Sequence, residues 1–160
     1  MWPCKNPGED ARLYTAVAAA SRFAIELGIN IPTGKDSLSM TQKYKDREVL
    51  SPGTVIISAA AEVIDVRQIV EPVLKIDTNS CLIYIDMSRD EYKTGGSSFA
   101  QTLNTIGDEV PSVTDPAYFR TVFDTMQDLI IGGKIISGHD ISAGGMVTTL
   151  LEMCLSLLHI

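Results

Sequence analysis

SGHDISAGG, at residues 137–145, joins an apolar run at residues 134–136 to a longer apolar pattern at residues 146–153. These two flanks predict a strand and a helix, so the amides of residues 143–145 are expected at a helix N-terminus, where anions are favoured. The turn between them holds a carboxylate, an imidazole, a hydroxyl and two glycines. That combination is typical of turns that bind phosphates and metals.

Asp140 is the candidate metal ligand in this turn. Magnesium prefers hard oxygen ligands, usually one or two carboxylates with phosphate oxygens and water, so Asp140 is a better candidate than His139. A simpler interpretation is that Asp140 only caps the following helix and that His139 is a hydrogen-bonded turn residue. Taken alone, the turn favours the cap and leaves the metal site as the alternative.

Composition and charge restrict the class of protein. The chain has 160 residues, 45% of them hydrophobic, which is enough for the buried core of one ordinary domain. Its 13 basic and 20 acidic residues give a net charge of −7 and no cationic face, which argues against a nucleic-acid partner. No apolar run approaches the roughly 18 to 20 residues of a membrane span, and no secretory signal is visible. We therefore expect a cytoplasmic protein with no nucleic-acid or membrane partner.

The cysteines do not indicate a metal or disulfide framework. Cys4, Cys81 and Cys154 are odd in number, widely spaced and not arranged as CxxC pairs. Cys81 and Cys154 lie in apolar segments, where thiols are usually core residues. We expect neither zinc nor disulfides.

The first 50 residues are dominated by a helix pattern that opens after PGED at residues 7–10 and closes at Gly28. Its predicted apolar face consists of Leu13, Ala16, Val17, Ala20, Phe23, Ala24 and Leu27. Short strands are predicted at residues 29–31 and 38–40, followed by an exposed hairpin or flexible loop at residues 41–48. SPG at residues 51–53 punctuates the chain, so we place a domain boundary near residue 50 and divide the chain into residues 1–50 and 51–160.

Beyond residue 50 the predicted order is strand, strand, helix, helix, strand, helix, with strands at residues 54–64 and 80–86. One helix opens at residues 94–101, and another begins with Asp115 as N-cap and Pro116 in the first turn. The second of these is expected to bury Phe119, Val122, Phe123, Met126 and Ile130. The fold class is therefore α+β, or mixed α/β layers, without an internal repeat.

Both ends of the chain indicate an excerpt of a longer polypeptide. The last helix carries apolar residues and then stops at His159 and Ile160 without a glycine cap or polar tail. These apolar residues are Met146, Leu150, Met153, Cys154, Leu157 and Leu158. We expect this face and the strand at residues 54–64 to self-associate when uncovered, most simply as a symmetric homodimer.

Two further segments could carry chemistry. TGKDSLSM at residues 33–40 places Lys35 among hydroxyls and a carboxylate, a set suited to phosphate, but without the spacing of a P-loop. TGGSS at residues 94–98 could present amides to an anion, although paired glycines at a helix start more often serve a tight turn or close packing.

Five segments, taken in order, resemble the large-type phosphoribosylformylglycinamidine synthase family, within the aminoimidazole ribonucleotide synthetase-like superfamily. They are PGEDARLY (7–14), IPTGKDSLSM (31–40), SPGTVIISAAAEVIDVR (51–67), GGSSFAQ (95–101) and GHDISAGGMVTTLLEM (138–153). The combination of GKDSLSM with the HDxSxGG turn is specific, whereas HDxxxGG alone occurs across the wider superfamily.

The resemblance implies an enzyme that uses ATP and glutamine to convert formylglycinamide ribonucleotide to formylglycinamidine ribonucleotide. It also implies that this chain spans the end of one synthetase-like α/β subdomain and the first part of the α+β subdomain after it, within the second of two synthetase halves. That half binds Mg²⁺ and an adenine nucleotide, ATP or ADP, at a site often regarded as structural. By the resemblance, Asp140 matches a Mg²⁺ ligand and Ser142 a nucleotide contact, with Lys35, Gly144 and Gly145 as further candidates at the nucleotide.

The sequence departs from the family pattern at Ala143, where many relatives have a second carboxylate. The other Mg²⁺ ligands, the glycine-rich ATP loop of the first half and the glutaminase triad match nothing in this chain. The resemblance therefore assigns no catalytic residue here, and we expect the chain alone to be inactive. Its expected partners are the first synthetase half and the glutaminase domain of the parent polypeptide.

Two other interpretations stay open. The chain could belong to a non-catalytic half that holds the enzyme together around bound Mg·ADP, which the missing carboxylate at Ala143 favours. It could instead come from another superfamily member, such as a selenophosphate synthetase or a thiamine monophosphate kinase, but those families should lack the GKDSLSM stretch.

Overall fold

The computed structural model describes residues 1–75 and 77–155. Those residues contain four α-helices, one short 3₁₀ helix at Val66–Gln68 and a two-stranded sheet, which confirms the α+β class. The chain forms two compact units, Met1–Glu62 and a second that begins at Val63. The division by compactness thus falls after Glu62, and the domain boundary near residue 50 stays a prediction.

Helix α1 (Glu9–Leu27) confirms the first predicted helix. Gly8 precedes it and Gly28 ends it, both with left-handed backbone, and the Gly28 amide donates to carbonyls of the last turn. The predicted apolar face is the less exposed face of the helix, and Ala24 on it is buried. Val17 is the exception, since it is 53% exposed.

Trp2 organises the first unit. Its ring is buried, and a Cβ added at Gly53 would lie 2.5 Å from it, so only glycine fits beside the indole. The Trp2 amide donates to the Ser37 carbonyl at 2.7 Å, and Pro3 forms an isolated antiparallel bridge with Ser39. The start of the chain therefore lies along the GKDSLSM segment.

An exposed antiparallel hairpin follows. Strands β1 (Thr41–Lys43) and β2 (Glu48–Leu50) pair with Thr41 opposite Leu50, as the hairpin alternative predicted. The predicted strand at residues 29–31 does not form, and the one at residues 38–40 is reduced to the bridge at Ser39. The Cys4 amide donates to the Leu38 carbonyl and the Ser51 amide to the Met40 carbonyl, each at 3.0 Å, but these single bonds do not make a ladder.

Helices α2 (Ser98–Thr102) and α3 (Pro116–Ile131) confirm the next two predictions, including Asp115 as N-cap and Pro116 at the first position of α3. The predicted burial of α3 is confirmed only in part. The predicted residues Phe119, Val122, Met126 and Ile130 are half-buried, whereas Phe123 is 49% exposed. None of the residues of α3 is fully buried.

The predicted strands at residues 54–64, 80–86 and 134–136 are wrong for this chain. All three lack strand pairing. In the first two the apolar side chains are largely exposed, with Ile56 and Ile83 each 75% exposed, whereas Ile135 is half-buried and Ile136 is 37% exposed. An apolar run becomes a strand only when a neighbour shares its hydrogen bonds. Residues 1–75 and 77–155 supply no such neighbour for these segments.

Helix α4 (Gly145–Leu155) confirms the last predicted helix, and Met153 is its buried apolar residue. Met146 is 52% exposed, so the predicted apolar face is covered only in part. Leu157, Leu158, His159 and Ile160 lie outside the described residues. Cys81 and Cys154 are exposed rather than core residues, because the segments that carry them are themselves uncovered.

Candidate functional site

The HDxSxGG turn is anchored at its start by the segment at residues 70–75. The Ser137 hydroxyl donates to the Val73 carbonyl at 2.6 Å, and the Gly138 amide donates to the Glu71 carbonyl at 3.2 Å. The Leu74 amide in turn donates to the Met153 carbonyl of α4 at 3.1 Å. This segment therefore connects the start of the turn with the helix that follows it.

The peptide of Asp140 is held by side chains on both sides. The Nδ1 atom of His139 lies 2.8 Å from the Asp140 carbonyl oxygen, and the hydroxyl of Thr149 lies 3.4 Å from the same oxygen. Thr149 is only 5% exposed and also reaches the Gly145 carbonyl at 3.2 Å. The Nε2 atom of His139 lies 3.3 Å from a carboxylate oxygen of Glu152.

The carboxylate of Asp140, by contrast, is open to solvent, with 87% of the side chain exposed. Its nearest ionisable neighbour is the His139 ring, at 3.4 Å. Because α4 begins at Gly145, Asp140 stands five positions before the helix and does not cap it. The cap interpretation, which the sequence alone favoured, is therefore wrong.

The two glycines close the turn in a conformation that other residues rarely adopt. Gly144 has φ 94° and Gly145 has φ 73°. A Cβ at Gly144 would also lie 2.4 Å from the Thr148 hydroxyl oxygen. The Gly145 amide donates to the Ser142 carbonyl at 3.0 Å, so this amide is already used within the turn. One of the three amides at residues 143–145 that were expected to bind an anion is therefore not free to do so.

The predicted site residues fall in two places. Asp140, Ser142, Gly144 and Gly145 share one exposed turn of the second unit. Lys35 belongs to the first unit, where its ammonium donates to the Ser37 hydroxyl at 2.7 Å and to the Asp36 carbonyl at 2.8 Å. Lys35 is thus held locally in a compact loop.

The TGGSS segment has a structural explanation. The Ser97 hydroxyl accepts from the Ala100 amide and caps α2, and the Gly95 carbonyl accepts from the Gly107 amide at 3.1 Å. A Cβ at Gly95 would lie 2.8 Å from the Glu109 carbonyl oxygen. Tight turning and close packing therefore account for Gly95, whereas a Cβ at Gly96 would meet nothing within 4 Å.

A polar cluster around Asp90 was missed by the sequence analysis. The Asp90 side chain is 8% exposed and accepts from the Lys93 ammonium at 2.8 Å and from the Ser112 amide at 3.0 Å. The Lys93 ammonium lowers the pKa of Asp90, and Asp90 raises the pKa of Lys93. The alternation Asp86, Ser88, Asp90, typical of side chains that bond to nearby backbone, is the signal that could have revealed it.

Arg89 ties this cluster to the start of α3. Its guanidinium lies 4.1 Å from the centre of the Tyr118 ring and 3.1 Å from the carboxylate of Asp115. The Tyr118 hydroxyl donates to the Asp86 carbonyl at 3.2 Å. Because these polar groups hydrogen-bond or form ion pairs with one another, we interpret the cluster as structural: it stabilises the loop before α2.

The donor set decides how a metal could be held. Among residues 1–75 and 77–155, no three His, Cys, Asp or Glu side chains gather into a group that could enclose a metal ion. Asp140 nevertheless fits the role of a single magnesium ligand, because its carboxylate is exposed while its peptide is held. Magnesium keeps several waters and takes one or two carboxylates with phosphate oxygens, so one such ligand suits a shared site.

Two family models match the chain. Residues 1–62 match the FGAR-AT PurM_N-like domain, the same residues that form the first compact unit. Residues 83–157 match the C-terminal domain of AIR synthase related proteins. Together with the α+β fold and the glycine-closed turn, these matches place the chain in the class of AIR synthase related proteins.

The probable phosphoribosylformylglycinamidine synthase, chloroplastic/mitochondrial, of Arabidopsis thaliana is 40% identical over 154 residues. The match covers 96% of this chain, and the chain spans 11% of the length of that relative. No solved structure matches the chain significantly. The chain belongs to the phosphoribosylformylglycinamidine synthase family. No helix among its described residues is long and apolar enough to span a bilayer.

Proposed function

We propose that the chain is one part of an ATP-dependent C–N ligase, a glutamine amido-ligase, that converts formylglycinamide ribonucleotide to formylglycinamidine ribonucleotide in purine biosynthesis. The observation that carries this proposal is the 40% identity to a phosphoribosylformylglycinamidine synthase along 96% of the chain. The chain spans 11% of that relative, so the reaction belongs to the longer polypeptide and this chain supplies one portion of it. We expect that polypeptide in the cytoplasm.

The portion we assign to the chain is a Mg²⁺ and adenine nucleotide site at the HDxSxGG turn. Asp140 would contribute the metal ligand, and Ser142, Gly144 and Gly145 would lie against the nucleotide. Lys35, in the first compact unit, stays a separate candidate for a phosphate contact. The metal would neutralise phosphate charge there. The exposed carboxylate of Asp140 and its exclusion as a helix cap support this assignment.

A structural role for this nucleotide site is the second candidate. Ala143 offers no carboxylate within the turn, and Asp140 belongs to no group of three or more His, Cys, Asp or Glu side chains among the described residues. A site with fewer anionic ligands is better suited to holding Mg·ADP than to driving phosphoryl transfer. In this version the bound nucleotide stabilises the enzyme and takes no part in the reaction.

The large exposed surface of the chain supports the proposal that other protein domains cover part of it. The chain exposes 13150 Å², whereas two separate compact units of these sizes would expose roughly 9,000 to 9,500 Å². Much of the excess is apolar, as at Ile56 and Ile83. We assign the cover to the remaining domains of the parent polypeptide, the first synthetase half and the glutaminase domain, and expect the chain alone to be inactive and to self-associate as a homodimer.

The test is the rise in melting temperature that Mg·ADP causes in the full-length parent, compared with its Asp140→Asn variant. The glycine-rich loop of the first synthetase half is disabled in both proteins, so that only this site responds. Asn keeps the shape of Asp but removes the charge that attracts Mg²⁺, so nucleotide affinity should fall. Each tenfold loss lowers the stabilisation at saturating nucleotide by about 1.4 kcal/mol. An unchanged rise in the variant would refute the assignment of Asp140.

A further inference from the structure

We propose that Thr149 of α4 is a positioning residue that holds the peptide of Asp140, and with it the Cα from which the metal-binding carboxylate extends. This inference rests on the proposed Mg·nucleotide site. It gives a role to a side chain that neither binds the nucleotide nor ligates the metal itself. The geometry that points to it is the contrast between a held peptide and an exposed carboxylate at one residue.

The first step is the Asp140 carbonyl. A carbonyl oxygen can only accept, so the Nδ1 atom of His139, 2.8 Å away, must carry a hydrogen. The Thr149 hydroxyl reaches the same oxygen at 3.4 Å, from a position one turn inside α4. Two donors on one carbonyl fix the plane of the peptide, and the side chain then departs from a fixed Cα.

The second step is the imidazole. Its side chain is 19% exposed, and its Nδ1 atom donates to the Asp140 carbonyl oxygen. This contact forms within the turn itself, whereas the contact from Thr149 comes from α4.

The third step is the burial of Thr149. Among the described residues it is the buried polar side chain of the chain, at 5% exposed. A serine or threonine within a helix can satisfy its hydroxyl by bonding to the carbonyl four residues earlier, as Thr148 does with Gly144 at 3.0 Å. Thr149 has the equivalent Gly145 carbonyl at 3.2 Å, yet it also reaches back to Asp140. Only Thr149 makes this additional contact, and in this respect it differs from its neighbour Thr148.

Holding the carboxylate matters because metal affinity depends on ligand geometry. A ligating side chain left free must lose its conformational freedom on binding, and supporting contacts remove part of that cost beforehand. A net hydrogen bond of ordinary strength corresponds to about a fivefold change in affinity. Loss of the Thr149 contact should therefore weaken Mg²⁺ binding without abolishing it.

The matched pair Thr149→Val and Thr148→Val tests the direct support. Both changes replace a hydroxyl by a methyl group at adjacent positions of α4, and both remove a bond to a carbonyl four residues earlier. Thr149→Val alone removes the contact with Asp140. Thr149→Ser keeps the hydroxyl and serves as the rescue variant.

The measurement is the Mg²⁺ concentration that gives half-maximal ADP binding in the full-length parent with the first-half loop disabled. We expect about a fivefold increase for Thr149→Val and unchanged values for Thr148→Val and Thr149→Ser. The melting temperature without Mg²⁺ and nucleotide reports the structural cost of each change. Equal increases for the two valine variants would overturn the role of Thr149.

The Asp140→Asn protein distinguishes failure of this inference from failure of the proposed function. If Asp140→Asn weakens binding and Thr149→Val does not, the site stands and the positioning role fails. If Asp140→Asn has no effect, both fail.

Discussion

The turn at residues 137–145 and the apolar segment at residues 55–64 differ in where their polar groups find partners. In the turn, bonds to residues 70–75 and to α4 satisfy the backbone around Asp140. No backbone hydrogen bond joins residues 55–64 to any other described residue of the chain. Other described residues of the chain complete the first region, whereas the second needs a strand from elsewhere.

The comparison shows that a sequence specifies turns and strands in different ways. A turn needs residues of particular shape at particular positions, and these are all present within a short stretch of the chain. A strand needs a neighbouring strand, and its own residues do not specify which segment supplies that neighbour. The same sequence can therefore specify the conformation of a turn while leaving a sheet unformed.

The largest expected effect concerns hydrogen exchange at residues 55–64. In the 160-residue chain these amides should exchange almost without protection, because nothing described bonds to them. In the full-length parent the missing partner should convert the segment into a strand and slow exchange by more than roughly a thousandfold. Exchange followed by mass spectrometry measures both states.

A concentration series in the isolated chain serves as the control for that experiment. Protection that rises with concentration would identify a second copy as the partner, in line with the proposed homodimer. Fast exchange in the parent as well would show that the segment is a loop, and the comparison with the turn would then lose its basis.

The helices were predicted well because the residues that begin and end a helix lie next to it in sequence. Gly28 ends α1 and Asp115 with Pro116 begins α3, as the sequence indicated, since caps act within one turn.

The burial of apolar side chains was predicted less well. Phe123 and Cys154 have apolar surroundings in sequence, but whether anything covers them depends on distant chain.

The candidate site divides in the same way. The glycines and the carboxylate of the turn could be identified from residue type and order. That Asp140 is not a cap could not, because the start of α4 at Gly145 depends on how the two glycines turn the chain. The contacts of Thr149 and Glu152 with the turn were also invisible, since they arise only after the helix folds back.

Gly144→Ala should have the largest effect on the stability of the turn. Gly144 has φ 94°, and an added Cβ would meet the Thr148 side chain at 2.4 Å. We expect a loss of about 1 to 3 kcal/mol in the free energy of unfolding. Gly107→Ala is the control, because a Cβ there meets nothing within 4 Å, and it should change stability by less than about 0.5 kcal/mol. Urea denaturation compares the two, and equal losses would show that the turn is not specifically constrained.

Asp115→Ala should cost less, because it removes one cap and one partly exposed ion pair. The Asp115 carboxylate accepts from the Tyr118 amide at 2.9 Å and lies 3.1 Å from Arg89. We expect a loss of about 1 kcal/mol, mainly from the cap. Asp115→Asn retains a capping oxygen and should recover most of it. If both variants lose the same stability, the ion pair and not the cap stabilises the start of α3.

The smallest expected effect is a pH dependence that originates at Asp90. The Lys93 ammonium, 2.8 Å away, lowers the pKa of Asp90 below its ordinary 3.8, so the folded state holds the ionised carboxylate more firmly than the unfolded state. The stabilising contribution is therefore complete above the unfolded pKa and is lost as the pH falls through the lower, folded pKa. Melting temperatures between about pH 6 and pH 2 should fall less steeply in Asp90→Asn than in the unmodified chain. Lys93→Met removes the main cause of the shift and should flatten the acid limb in the same way. A steep acid limb that survives in both variants would place the titration on other carboxylates, and the Asp90 cluster would then brace its loop by hydrogen bonding alone.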